Sequence, residues 1–96
     1  MTNIKVIKMI SSEEIIAENL SDLNATPIYR RPRVLHLNQT QNGVSASLIP
    51  WIMSDPDCTV SIEKHAIAAT VDASEALAKS YLQSVSGIEL ASTLMG

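Results

Sequence analysis

The sequence predicts a mainly β domain: a strongly bent five-stranded antiparallel sheet, in effect a small open barrel, followed by a C-terminal helix. Three observations predict it. Apolar side chains recur at every second position over much of residues 3–71, turn-forming residues interrupt them at intervals, and a helical pattern appears only afterwards.

From Ile4 to Ile10, the residues Ile4, Val6 and Lys8 alternate with Lys5, Ile7 and Met9, a two-residue period rich in β-branched side chains. Ser11 and Ser12 form the natural turn. Ile15, Ile16 and Leu20 carry the apolar content onward as the second arm of a hairpin, although Glu13, Glu14, Ala17 and Glu18 would also suit a helix. Ser21 to Pro27 is polar and holds Asp22, Asn24 and Thr26, whose side chains can bond to local backbone, so it reads as a loop.

Tyr29 to Leu37 is the third strand. Pro32 cannot donate a ladder hydrogen bond and marks an edge or a bulge there. Asn42-Gly43 is a hairpin-turn signal, and Val44, Ala46 and Leu48 then alternate with Ser45 and Ser47 into Ile49, Pro50, Trp51 and Ile52. Ser54-Asp55-Pro56-Asp57 ends this fourth strand. In the fifth, Val60 and Ile62 share one parity while Ile67, Ala69 and Val71 share the other, so a bulge or sharp bend is expected near Lys64 to Ala66.

Asp72 with Glu75 three residues on resembles a capping box, opening a helix over about residues 72–86. Leu77, Tyr81 and Val85 share one helical face, Gly87 is a natural C-terminal cap, and Ala91 to Gly96 should fray. The whole of 1–96 is read as one domain.

A chain of 96 residues supports one modest core, which with 46% hydrophobic residues, 3% aromatics and no Phe must be built from Ile, Leu, Val, Met and Ala. So short a meander has to bend to bury one apolar face, and its edges stay open. Open edges invite pairing with another copy, and head-to-tail pairing closes into a ring when the rotation per step divides the circle.

The formal charge of −3 argues against indiscriminate coating of nucleic acid, which rests on Lys and Arg displacing counterions. The single Cys58 cannot close an intramolecular disulfide or complete a Cys-rich metal site, which fits a reducing compartment. Neither a signal-peptide run nor a stretch of about 18 apolar residues is present, so a cytoplasmic protein off the membrane is expected.

Catalytic machinery is not expected. His36 and His65 lack metal-ligand spacing, Cys58 and the serines sit in no nucleophile motif, and Glu13-Glu14 reads as a solvated turn. Neither a metal nor a cofactor is implied. Trp51 reads as a packing or interface anchor. The remaining cluster is Tyr29-Arg30-Arg31-Pro32-Arg33, where three guanidiniums and one ring within five residues could clamp phosphates while a base stacks. The competing reading is an edge strand whose arginines meet the carboxylates of a neighbour.

The run Lys8-Met9-Ile10-Ser11-Ser12-Glu13-Glu14-Ile15-Ile16-Ala17-Glu18 resembles the first hairpin of Sm-like proteins. With Leu48-Ile49-Pro50-Trp51 and the strand-to-helix ending that contains Tyr81 and Gly87, the chain resembles, along nearly its whole length, the Sm-like proteins of cyanophages and marine metagenomes. The resemblance implies a homo-oligomeric ring formed by strand pairing and a role in binding single-stranded RNA or DNA, in the cytoplasm of the host cell if the chain is phage-encoded.

Uridine-binding Sm proteins use an Asp and an Asn in the loop between their second and third strands, and an Arg-Gly pair before the last strand. Asp22 and Asn24 fall in the first of these loops with a different spacing, and Ser54-Asp55-Pro56-Asp57 is read at the second, where two acids would repel phosphate. The helix follows the strands here, whereas typical Sm proteins carry theirs first. The leading expectation is a ring in which Arg30, Arg31 and Arg33 neutralise phosphates and Tyr29 or Asn24 touches bases. A structural or adaptor ring making only protein contacts is the alternative.

Overall fold

The strands are β1 (Ile4–Met9), β2 (Glu14–Asn19), β3 (Ile28–Thr40), β4 (Gly43–Pro50), β5 (Thr59–Ser61) and β6 (Ile67–Asp72), and the helix α1 (Glu75–Met95) follows them. The computed structural model describes residues 3–21 and 26–95, with side chains except at 44 and 87–95. The strands pair antiparallel throughout, in the order β4-β3-β2-β1-β6, with β5 also on β3. The sheet is open, as the alternation predicts, and the segment Glu14–Asn19 is a strand rather than a helix.

The fifth strand expected from the sequence is two strands. A 3-10 turn over Lys64–Ala66 divides it, at the place where the apolar parity switches. β5 pairs with β3 while β6 pairs with β1, on opposite sides of β2. In a flat sheet these two positions would lie about 19 Å apart, four spacings of about 4.8 Å. The six residue steps from Ser61 to Ile67, three of them through a 3-10 turn, reach only about 16 Å. The sheet must therefore curl.

Curling buries β1 and β2 on both faces. Inside the curve Ile7, Met9, Ile15, Ala17, Tyr29 and Ile62 form one cluster, with Trp51, Val60, Ala66 and Ile67 packed against it. On the outer face Ile4, Val6 and Ile16 meet Tyr81 and Val85 of α1, with Leu48, Leu77 and Leu82 alongside. The shared helical face of Leu77, Tyr81 and Val85 is thus the packed one, as its spacing predicts.

Pro32 marks a bulge. Between the pairs Ile16↔Arg33 and Glu18↔Arg30, β3 has two residues where β2 has one. Arg31 takes a positive φ of 55° there. The two ends of β3 also have different partners, Ile28–Arg30 with β5 and Arg33–Thr40 with β4, so the bulge is the corner at which the sheet folds over.

At the β1–β2 turn Ser12 carries a φ of 86°, a left-handed conformation that Ser12→Gly would relieve. In the β3–β4 hairpin Thr40 pairs with Gly43, whose φ of 125° explains why glycine follows Asn42.

Two helix expectations are corrected. The N-terminal cap is Ser74, whose Oγ accepts the Leu77 N–H at 3.2 Å; Asp72 is the last residue of β6 and pairs with Lys5. Gly87 does not end the helix, which runs to Met95. A glycine in a helix interior costs about 1 kcal/mol, and the good helix formers after it, Glu89, Leu90, Ala91 and Leu94, can outweigh that because propagation is cooperative.

The Tyr81 hydroxyl reaches the carbonyls of Arg30 at 3.0 Å and Arg31 at 2.8 Å. Burial pushes its pKa up from 10.0 to about 12. A raised folded-state pKa favours the protonated form, so this stabilisation is intact below pH 10 and is lost as pH climbs towards 12, by up to about 1.4 kcal/mol per pH unit. Urea midpoints measured from pH 9 to 12 should fall more steeply for the native chain than for Tyr81→Phe. Parallel slopes would show that the hydroxyl titrates normally.

Candidate functional site

The arginine cluster straddles the β3 bulge. Arg30 stands opposite Glu18 on β2, and its Nε and Nη2 lie 3.0 and 2.6 Å from Glu18 Oε1. Arg33 turns inward: its side chain is 1% exposed, one Nη donates to the Pro56 carbonyl, and Nη2 lies 3.1 Å from Asp57 Oδ1. Arg31 Nε is 3.9 Å from the same carboxylate oxygen. Two acids of this chain, Glu18 and Asp57, therefore meet all three guanidiniums.

This placement corrects the sequence reading for Arg33 and Tyr29. The Arg33 guanidinium closes the Trp51–Cys58 connection onto β3 and cannot face a phosphate without opening that connection. Tyr29 is 4% exposed inside the curve and has no face free for a base. Arg30 and Arg31 keep 43% and 26% of their side chains exposed beside their carboxylate partners. Asn24 lies outside the described residues.

The last inter-strand turn is also relocated. Ser54-Asp55-Pro56-Asp57 lies between β4 and β5, whereas the turn before the final strand is Ile62–Ala66, with exposed Lys64 and His65. The Ile62 N–H donates to the Pro27 carbonyl at 3.0 Å, which brings this turn beside the β2–β3 loop. At its other end Ala66 accepts the Ile10 N–H at 2.9 Å, beside the β1–β2 turn. The sequence places a bulge or sharp bend at Lys64 to Ala66 within one strand; the structure makes it a turn between two strands, which presents Lys64 and His65 to solvent.

Burial, and then the Asp55 carboxylate, push the Cys58 thiol pKa up, which disfavours the nucleophilic thiolate. Among the described residues no three His, Cys, Asp or Glu side chains gather as a metal site, and no helix is long and apolar enough to cross a membrane. Trp51 is half-buried against the inner cluster, and its backbone N–H donates to the Pro32 carbonyl at 3.1 Å, so it packs.

Among the described residues two edges of the sheet stay open. β6 carries no charge from Ile67 to Val71, and its residues from Ala68 on are exposed, Val71 by 58%. β4 lies within residues 34–54, a stretch without any Asp, Glu, Lys or Arg, yet Leu37, Ile49 and Met53 there are 59%, 45% and 71% exposed. Solvated edges are ordinarily protected by charge, and depletion of charge with exposed apolar side chains is the composition of an interface core.

No protein-family model matches the chain, and no curated protein does either.

Proposed function

We propose that the chain is one subunit of a homo-oligomeric ring of the Sm-like kind, assembled by pairing β4 of one copy with β6 of the next, and that the ring binds single-stranded RNA or DNA. The observation that carries the reading is the pair of charge-poor, apolar, open edges at opposite ends of one sheet. A head-to-tail contact between two such edges uses both and closes into a ring.

For the ligand, support comes from the turn before the last strand. The resemblance puts an Arg-Gly pair there, and this chain has Lys64 and His65, in a turn whose Ile62 N–H bonds to the Pro27 carbonyl. One such turn is a weak phosphate contact, but a ring repeats it in every subunit, and repeated contacts raise avidity. Arg30 and Arg31 are the other candidates for phosphate contact. The adaptor reading also has its own support, since Glu18 and Asp57 already meet the arginines.

Light scattering tests assembly, and anisotropy of labelled RNA and DNA oligonucleotides at several salt concentrations tests binding. The expected result is a mass several times that of one chain, with affinity that falls as salt rises. Lys64→Ala should weaken binding and reduce the log-log salt slope by about 1 for each phosphate that is no longer neutralised. A ring that binds no oligonucleotide would leave the adaptor role, and a monomer would sink the assembly.

A further inference from the structure

The β3 bulge and α1 meet at one atom. In a regular strand successive carbonyls point to opposite sides, so a single hydroxyl cannot reach two in a row. Tyr81 Oη reaches the carbonyls of both Arg30 and Arg31, at 3.0 and 2.8 Å. It can do so because Arg31 has a φ of 55° and the register between β2 and β3 slips by one residue at this point. The three-centre bond, one hydroxyl proton shared between two carbonyls, exists in the bent strand and cannot form in a straight one.

The same corner sets the direction of β4. Before the bulge β3 pairs with β5, and after it with β4, so the bend angle decides how β4 is held relative to the body formed by β1, β2 and β6. The Tyr81 side chain is held in turn by the outer cluster, with Ile4, Val6, Ile16 and Val85.

We infer that Tyr81 is a curvature clasp: by holding the Arg30 and Arg31 carbonyls together it fixes the angle at which β4 is offered to the next copy, and so the number of subunits in the ring. The inference rests on the proposed assembly through β4 and β6. It gives the helix a task that its position after the strands does not itself suggest, since Tyr81 of α1 grips the corner of the sheet.

Native mass spectrometry of the full chain and of Tyr81→Phe, with far-UV circular dichroism to check the fold, tests this. The substitution keeps the aromatic ring and its packing and removes the donor. The expected result is a single subunit number for the native chain, and for Tyr81→Phe a different number or a mixture of neighbouring numbers. Val85→Ala, which loosens the same helix face but leaves the hydroxyl, should keep the native number.

An unchanged single number in a folded Tyr81→Phe would overturn the clasp, as would an equal change in Val85→Ala. A native chain that is monomeric would overturn it together with the assembly, whereas an oligomer insensitive to Tyr81 overturns the clasp alone. If Tyr81→Phe does not fold, the comparison is repeated in a Ser12→Gly background, where the positive φ of Ser12 costs nothing.

Discussion

Arg33→Ala is expected to destabilise the chain by about 3–5 kcal/mol, the cost of emptying a large, fully buried site together with the loss of a hydrogen bond to a backbone carbonyl. Among the described residues Arg33 is the largest fully buried side chain. Its guanidinium ties Pro56 and Asp57 to β3, so its removal empties a large site and releases the connection between β4 and β5 at the corner of the sheet. Asp57 is 43% exposed, so water screens the charge pairing itself and most of the effect should come from packing and the carbonyl bond. Arg33→Met, which fills the volume without the charge, should recover more than half of the stability. Urea denaturation of the two variants checks this; equal destabilisation would mean that the hydrogen bonds, not the volume, dominate.

Ile7→Ala should cost about 3–4 kcal/mol. Ile7 is fully buried in the inner cluster, on a strand hydrogen-bonded on both sides, to β2 and to β6. Neighbouring backbone that is tied on both sides cannot collapse into the space of the missing methyl groups, so the cavity remains. A domain of this size has about 5–15 kcal/mol in total, so the variant should unfold at a markedly lower urea concentration. A cost under about 1.5 kcal/mol, well below what a persistent cavity imposes, would show that the thin, Phe-free core repacks easily. Ile10→Ala, at a position 66% exposed, is the matched control and should change little in the isolated subunit.

The β alternation, the Ser11-Ser12 and Asn42-Gly43 turns, the bulge at Pro32, the change of parity near Lys64 to Ala66 and the helix face of Leu77, Tyr81 and Val85 were all legible along the chain. Each depends on residues within a few positions of one another, and local sterics and periodicity are enough to encode them. The cap was misplaced because Asp72 and Ser74 are both good cap residues, and the ladder with β1 decides between them by claiming Asp72.

The arginine cluster was legible in the sequence, but the partners of its guanidiniums were not. Its sequence spacing says nothing of Asp57, which is 24 residues beyond Arg33 and reaches it only because β5 returns to β3. The pairing of β5 with β3 and of β6 with β1 likewise could not be read locally, and it moved the last turn from Ser54–Asp57 to Ile62–Ala66. Short-range physics encodes the first four strands, the presence of a helix after the sheet and the apolar faces; the division of the last strand into β5 and β6 and the ends of the helix needed the fold. Which charges neutralise each other, which side chains face solvent and which strands pair on either side of the Pro32 bulge emerge only in the folded chain, because those depend on contacts between residues far apart in sequence.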